Sequence, residues 1–521
     1  MRWVATSCAR GASPTDHFSI LPRARNLALA LILLGLSRDG NAPAGAETLS
    51  LSPRAVHDRS AAHHALLAAA ASPVAATLSV ATTRTPSTSF PGSWRSRSVV
   101  ISFGNIEGII LVPATLRGAS GLDTTGTLVL DTGAGYVALD AGLTGLLGID
   151  TSQSSPAAIG IAARPLPRLE VGGLQFDQVS PILTIDANIV RQVTDRPVLG
   201  MLGAKPIVAY AVLVDYARNE LAFITMPNSG VHGIPGADTT RSSSGGPNPL
   251  AAPERRTDQN ARIDASRAAL GDALHGLVRP VLFRLRGDGK ILVSARVANP
   301  DVSAMSDTLT LVVDTGATKT ALFASALANR APRFERWRTL LGLTAPTLVG
   351  SAEARIARVP MIEVLGDSAD VHATQVDVAI IDSPLVDALS ADVGEPVHGL
   401  LGYSFLRRFR LVIDYPHQVL WLESVPHTYD ERPYEYTHVG IQLERRGTAL
   451  SVVGIASGSP AALAGIKRAD EIVAIDGTSV AKLNVLEASR RLEGRSGTAV
   501  VLRVLRGEVE RTVRLKRRRL L

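Results

Sequence analysis

Cysteine is all but missing: Cys8 is the single one among 521 residues, and it lies in a segment read below as removable. Beyond that segment the chain has no disulfide, no thiolate nucleophile and no thiolate metal site, and it tolerates an oxidising compartment. Aromatic residues are scarce at 4%. Cores must then be built from Val, Leu, Ile and Ala, and with 45 Gly and 30 Pro this favours β-rich structure over a helix-dominated fold. His-Glu-x-x-His is absent and the 11 histidines are scattered, which argues against zinc. No Gly-rich phosphate cradle occurs, so no cofactor and no metal is expected. Gly402-Tyr403-Ser404-Phe405-Leu406 lacks the closing glycine of a nucleophile elbow, which disfavours a serine hydrolase. The net charge of +7 is spread along the chain apart from the 516–519 run, and no basic face carries base-stacking aromatics, so no nucleic-acid partner is expected.

What is present begins with a targeting pattern. Arg23 and Arg25 precede the apolar run 27–36, and Ala44-Gly45-Ala46 offers a small-residue cleavage site. This three-part arrangement is that of a secretory signal peptide over 1–46, and it predicts an exported, periplasmic or extracellular protein. The apolar run is too short to span a bilayer, so no membrane span is expected once the signal is removed. Residues 47–97, rich in Ala, Ser, Thr and Pro, read as a flexible stalk. Residues 227–278, containing Ser242-Ser243-Ser244-Gly245-Gly246-Pro247, read as a linker.

Around that linker the sequence repeats itself. Gly108-Ile109-Ile110-Leu111-Val112 resembles Gly289-Lys290-Ile291-Leu292-Val293. Leu128-Val129-Leu130-Asp131-Thr132-Gly133-Ala134 matches Leu311-Val312-Val313-Asp314-Thr315-Gly316-Ala317, with the two aspartates 183 residues apart. Val198-Leu199-Gly200 answers to Leu400-Leu401-Gly402, and Leu213-Val214-Asp215-Tyr216 to Val412-Ile413-Asp414-Tyr415. Two homologous halves follow, 98–226 and 279–424, each of short β-branched strands with one or two small helices.

The Asp-Thr-Gly loops are the candidate chemistry. A hydrophobic triplet before each aspartate buries the strand and delivers a carboxylate into a dry setting where its proton affinity can be tuned. Gly133 and Gly316 permit a tight turn and close backbone approach. Thr132 and Thr315 offer hydroxyls that can bond across to a facing copy of the loop. One such triplet arises by chance in roughly one chain in ten of this length; two at corresponding places in a duplication do not.

These residues resemble the retropepsin-like aspartyl proteases, where a strand ending in Asp-Thr-Gly-Ala is braced by a later hydrophobic-hydrophobic-Gly. Here Gly200 and Gly402 follow Gly133 and Gly316 by 67 and 86 residues. The resemblance implies a mainly β pseudodimer of two tandem half-domains, with Asp131 and Asp314 catalytic and sharing one proton while they activate water on a peptide bond. Flaps are expected near Gly160 and Gly350. It further implies an aspartic endopeptidase acting on protein or peptide substrates as a monomer, with a homodimer as the alternative. Repeat one continues as Gly135-Tyr136 where repeat two has Thr318-Lys319. That departure keeps a second reading open: a non-catalytic peptide-binding scaffold with a degenerate first loop.

Residues 436–517 resemble an α+β PDZ domain, through Gly458-Ser459-Pro460-Ala461-Ala462-Leu463-Ala464-Gly465-Ile466 and Asp470-Glu471-Ile472-Val473-Ala474-Ile475-Asp476-Gly477. Ala469 stands where glycine is usual. The resemblance implies a peptide ligand, with His438, Val439, Gly440 and Ile441 forming the loop that receives its carboxylate.

Overall fold

Alternation between β-branched apolar runs and Gly, Pro or Asp turns yields strands almost throughout, so the molecule is mainly β. The computed structural model describes residues 93–149, 160–162, 164–227, 255–300, 304–331, 333–347, 350–382, 385–425 and 432–521. The expected signal peptide, nearly all of the expected stalk and the Ser-Gly-Pro stretch of the linker lie outside the described residues.

Each repeat builds its own mixed sheet. The first runs Gly160–Ile161, Ile182–Ile185, Val137–Asp140, Val198–Leu202, Asp123–Leu130, Ile109–Arg117, Leu166–Val171 and Leu174–Val179, with Gly104–Ile106 beside Ile109–Arg117. The second runs Arg284–Arg286, Lys290–Val297, Leu309–Val313, Gly399–Leu401, Thr320–Phe323, Val371–Ile381, Gly350–Val364 and Thr339–Thr347. The strands leading to the two aspartates are interior ones with a parallel neighbour, Val198–Leu202 in one repeat and Gly399–Leu401 in the other. Strands covered on both faces read as continuous apolar runs, and Leu128, Val129, Leu130, Leu311, Val312 and Val313 are all fully buried.

A third sheet joins the repeats. Its order is Ser98–Ser102, Glu220–Thr225, Tyr210–Asp215, Phe409–Asp414, Val419–Ser424 and Val278–Leu282, three strands from each repeat. At the antiparallel seam Leu213 pairs with Val412, Val212 with Ile413 and Val214 with Leu411. Leu213 and Val412 hold matching places in the repeated motif, so the pairing is self-complementary about that point.

The stretch read as a linker contains the Arg256–Leu270 helix, which packs on this third sheet with Ile263, Ser266, Ala269 and Leu270 buried. Ser266 Oγ donates to Asp414 Oδ2 at 2.5 Å and accepts from Trp421 Nε1 at 2.8 Å. The helix is otherwise so polar that its narrow buried stripe does not stand out in the sequence.

The C-terminal domain is an antiparallel sheet of Ile441–Arg446, Ala449–Ile455, Glu471–Ile475, Ala499–Arg506 and Val509–Lys516, with helices at Pro460–Leu463 and Val485–Leu492. An Asn484/Glu487 capping box starts the second helix, whose Val485, Ala488 and Leu492 enter the domain's own core. Ala469 takes φ +67°, the left-handed region that glycine occupies freely and an L side chain occupies at roughly 1–2 kcal/mol. Among the described residues no helix is long and apolar enough to cross a membrane.

Candidate active site

Asp131 and Asp314 end their strands in register with the parallel neighbours: Asp131 N–H donates to Leu202 O and Asp314 N–H to Leu401 O, each at 3.0 Å. The two following turns then interlock. Thr132 N–H donates to Thr315 Oγ1 and Thr315 N–H to Thr132 Oγ1, each at 3.1 Å. Thr132 Oγ1 donates to Val313 O and Thr315 Oγ1 to Leu130 O, each at 2.9 Å. All four bonds are buried, where low dielectric makes them strong and their loss expensive. Gly316 cannot carry a side chain, because a Cβ there would stand 2.6 Å from Asp131 Cγ.

One oxygen of each carboxyl is fixed by the backbone. Asp131 Oδ1 accepts the Gly133 N–H at 3.0 Å and the Ala134 N–H at 2.9 Å, and Asp314 Oδ1 accepts the Gly316 N–H at 2.8 Å. The other oxygen, Oδ2, is buried in both residues, and the two carboxyls lie within hydrogen-bonding reach of each other. Burial, and then the Asp314 charge, push Asp131 well above the usual carboxylate range. Burial likewise pushes Asp314 up to about 6, although the Gly316 N–H pulls the other way. Two carboxyls within hydrogen-bonding reach in a dry site cannot both ionise, so the pair keeps a proton into the neutral range. Such a pair can take a proton at one member while it gives the held proton from the other.

Two further residues converge here that the sequence reading quoted but gave no role. Tyr216 follows a strand of repeat one, and burial, Tyr403 and the Asp314 charge push its hydroxyl up; Tyr415 follows the matching strand of repeat two and responds to burial and to Asp131. Each tyrosine thus neighbours the aspartate of the opposite repeat, and both hydroxyls are buried without a partner. The duplicated Asp-Tyr dipeptide was the available signal.

One expectation needs correction. The twin of Gly402 is Gly203 and not Gly200: a Cβ at Gly203 would stand 2.3 Å from Tyr136 O and one at Gly402 2.4 Å from Lys319 O, five residues past the respective aspartates. Gly200 instead matches Gly399, whose added Cβ atoms would meet Ala138 O and Ala321 O at 2.0 and 2.2 Å. Gly350 opens the second strand of a long antiparallel pair, Thr339–Thr347 with Gly350–Val364. Gly160 begins a two-residue strand on Ile182–Ile185, and the residues before it lie outside the described ones.

In the C-terminal loop His438 has a definite contact. Its Nδ1 accepts the Gly440 N–H at 3.0 Å, and burial followed by the Arg432 charge lowers its pKa to about 4, so it is neutral at pH 7. Gly440, at φ +87°, is pressed so closely on Ser459 that a Cβ would lie 2.2 Å from Ser459 Cβ. Val439 O and Gly440 O accept the N–H groups of Ala461 and Ala456 at 3.0 and 2.9 Å. Ile441 opens the strand beside the Val485–Leu492 helix, and the groove between them is apolar.

Comparison with known proteins adds the following. Residues 437–516 match the PDZ domain family, so the C-terminal domain is a PDZ domain. The chain is similar to the carboxy-terminal processing protease CtpA of Bacillus subtilis, 33% identical over 98 residues that make up 19% of this chain and 21% of that protein. It is also similar to a CtpA-like serine protease of Staphylococcus aureus, 29% identical over 86 residues, 16% of this chain and 17% of that protein. The chain thus spans about a fifth of the length of the curated relatives it matches. Among solved structures, an aspartic proteinase of Irpex lacteus covers 64% of this chain and 99% of its own at 12% identity, with a TM-score of 0.34.

These relatives correct the expected activity. The aspartic endopeptidase, and the non-catalytic scaffold kept as its alternative, give way to carboxy-terminal processing proteases, among them serine proteases, as the curated proteins similar to this chain. The expectation leaned on two loops 183 residues apart, and a matching stretch of 98 residues cannot contain both.

Proposed function

We propose that this chain is an exported protease that processes carboxyl-terminal segments of proteins, the PDZ domain holding the segment and the Asp131–Asp314 pair handling the proton during hydrolysis. In this reading the two repeats are retropepsin-like halves closed into a pseudodimer within one polypeptide, and Thr132, Gly133, Thr315 and Gly316 hold the pair in place. The observation that carries it is the burial of the two carboxyls within hydrogen-bonding reach of each other, in loops that bond to each other reciprocally. The kinship with carboxy-terminal processing proteases supports the substrate class.

Serine chemistry at the serine nearest the groove has less support. Ser404 Oγ accepts the Thr320 N–H at 2.9 Å. The amine beside it, Lys319, pairs with Glu435 at 2.7 Å; burial alone would lower its pKa, but the Glu435 charge outweighs burial and raises it, so it stays cationic and is no base.

The test uses the full chain and protein substrates ending in a free apolar carboxyl terminus. Cleavage is expected for the wild type, with losses on the order of 10³-fold for Asp131→Asn and for Asp314→Asn, and no effect of a serine-directed phosphonate. Cleavage that survives both substitutions and stops with the phosphonate would remove the acid pair from the reaction. No cleavage of any substrate would remove the protease reading itself.

A further inference from the structure

Counted by domain, the charge of this chain is not scattered. Residues 437–521 hold 16 Lys and Arg against eight Asp and Glu, whereas the remainder holds 38 against 39. The whole positive excess therefore belongs to the PDZ domain.

The excess gathers at one edge of the sheet. Val509–Lys516 is the edge strand, and where it meets the short Pro460–Leu463 helix an open depression of about 560 Å³ is lined by Arg514, Lys516, Arg517 and Arg518 and by no carboxylate. All of its lining lies within 460–518, so neither repeat walls it. The carboxylates of the adjoining strands are committed elsewhere: Glu510 holds Arg503 at 2.9 Å, Asp470 holds Arg506 at 2.6 Å, and Asp476 Oδ1 accepts the Val501 N–H at 2.8 Å. Arg517 donates to Leu492 O and Ala499 O at 3.2 and 2.7 Å, and Arg518 to Gly458 O, bonds that fix both guanidinium groups without neutralising them. Arg514 and Lys516 are exposed on either side of the buried Leu515, so they point the same way, and among the described residues neither side chain has a partner.

Charge on an edge strand also serves to repel a second chain. Repulsion of that kind has no use for the leucine beside it: Leu463 lines the same depression and is 75% exposed. Cations around a protruding leucine match the surface of an anionic bilayer, where phosphates take the charge and the acyl boundary takes the apolar side chain. A nucleic acid fits less well, because residues 437–521 contain no Phe, Tyr or Trp on which a base could stack.

We propose that this edge of the PDZ domain docks the protein on a bilayer containing anionic phospholipid, with Leu463 entering the headgroup region and Arg514, Lys516 and Arg518 on the phosphates. The contact is peripheral and needs no spanning helix. It depends on neither the acid pair nor the peptide groove.

The full chain is sedimented with vesicles of phosphatidylcholine alone and of phosphatidylcholine with about one-third phosphatidylglycerol. It should bind the anionic vesicles about tenfold or more tightly than the neutral ones, and release them as salt is raised to about 0.5 M. Arg514→Glu with Lys516→Glu should remove that preference, while Arg255→Glu with Arg256→Glu, an equal change of charge at exposed positions outside the domain, should keep it. Leu463→Ser should weaken binding roughly threefold. Equal binding to both vesicles, binding to neither, equal losses in the two double variants, or binding that Leu463→Ser leaves unchanged would each overturn the assignment. Tighter binding to a duplex DNA fragment than to the anionic vesicles would overturn it in favour of a nucleic-acid surface. If the reversed pair does not fold, the two vesicles with the wild type and Leu463→Ser at its exposed position still decide.

Discussion

The two Asp-Thr-Gly loops are alike where the carboxylates meet and unlike one step further on. After Ala134 the first loop continues through Gly135, where a Cβ would fall 1.8 Å from Asp288 Cγ, so the hairpin turn of repeat two lies hard against repeat one. After Ala317 the second continues to Lys319, which reaches Glu435 in the segment leading to the PDZ domain. The matching turn of repeat one, Glu107-Gly108, crosses the other way, with a Cβ at Gly108 only 2.3 Å from Tyr403 Cδ1. Gly135-Tyr136, which read in the sequence as the mark of a degenerate partner, is thus what close packing of Asp288 requires. Symmetry is kept at the acid pair and given up where each loop meets a different neighbour.

If that is right, the asymmetric contacts should be expensive to disturb. Lys290 is almost wholly buried and holds Asp288 at 2.5 Å and Asp392 at 2.7 Å. Lys290→Met leaves two carboxylates without their cation, and a loss of roughly 3–5 kcal/mol in chemical denaturation is expected. A loss below 1 kcal/mol would show that the Asp288 contact does not anchor the first loop. The symmetric contacts should instead respond equally. Thr132→Val and Thr315→Val each remove one buried hydroxyl that both donates and accepts, at about 1–3 kcal/mol apiece, and the two values should agree within error. Unequal losses would mean that the four-bond interlock is not shared evenly.

Much of this architecture could be read in the chain because its signals are local. Apolar triplets before Asp131 and Asp314 announced buried strands, and the long Gly458 to Gly477 motif announced the PDZ domain. Register was harder: Val198-Leu199-Gly200 and Met201-Leu202-Gly203 fit the bracing pattern equally well, and only the bond from Asp131 N–H to Leu202 O selects the second. The Arg256–Leu270 helix was hidden by its polarity. Tyr216 and Tyr415 gain their significance from the aspartate of the opposite repeat, which no window of sequence shows. The activity class failed for a related reason, since the kinship with named proteins and the paired loops cannot occupy one stretch of chain.

The central claim is that the two buried carboxyls retain a proton into the neutral range, and the pH dependence of stability tests it most directly. Asp314 has a folded pKa raised to about 6, so its ionisation penalises the folded state: the penalty is absent below the ordinary carboxylate range near pH 4 and is complete above pH 6. Thermal melting of the wild type and of Asp314→Asn is compared from pH 4 to pH 8. Asn cannot ionise, so the wild type should lose stability relative to the variant as pH rises, by roughly 3 kcal/mol across that range. Parallel profiles, or a wild type that gains on the variant with rising pH, would show that both carboxyls ionise freely and would contradict the account.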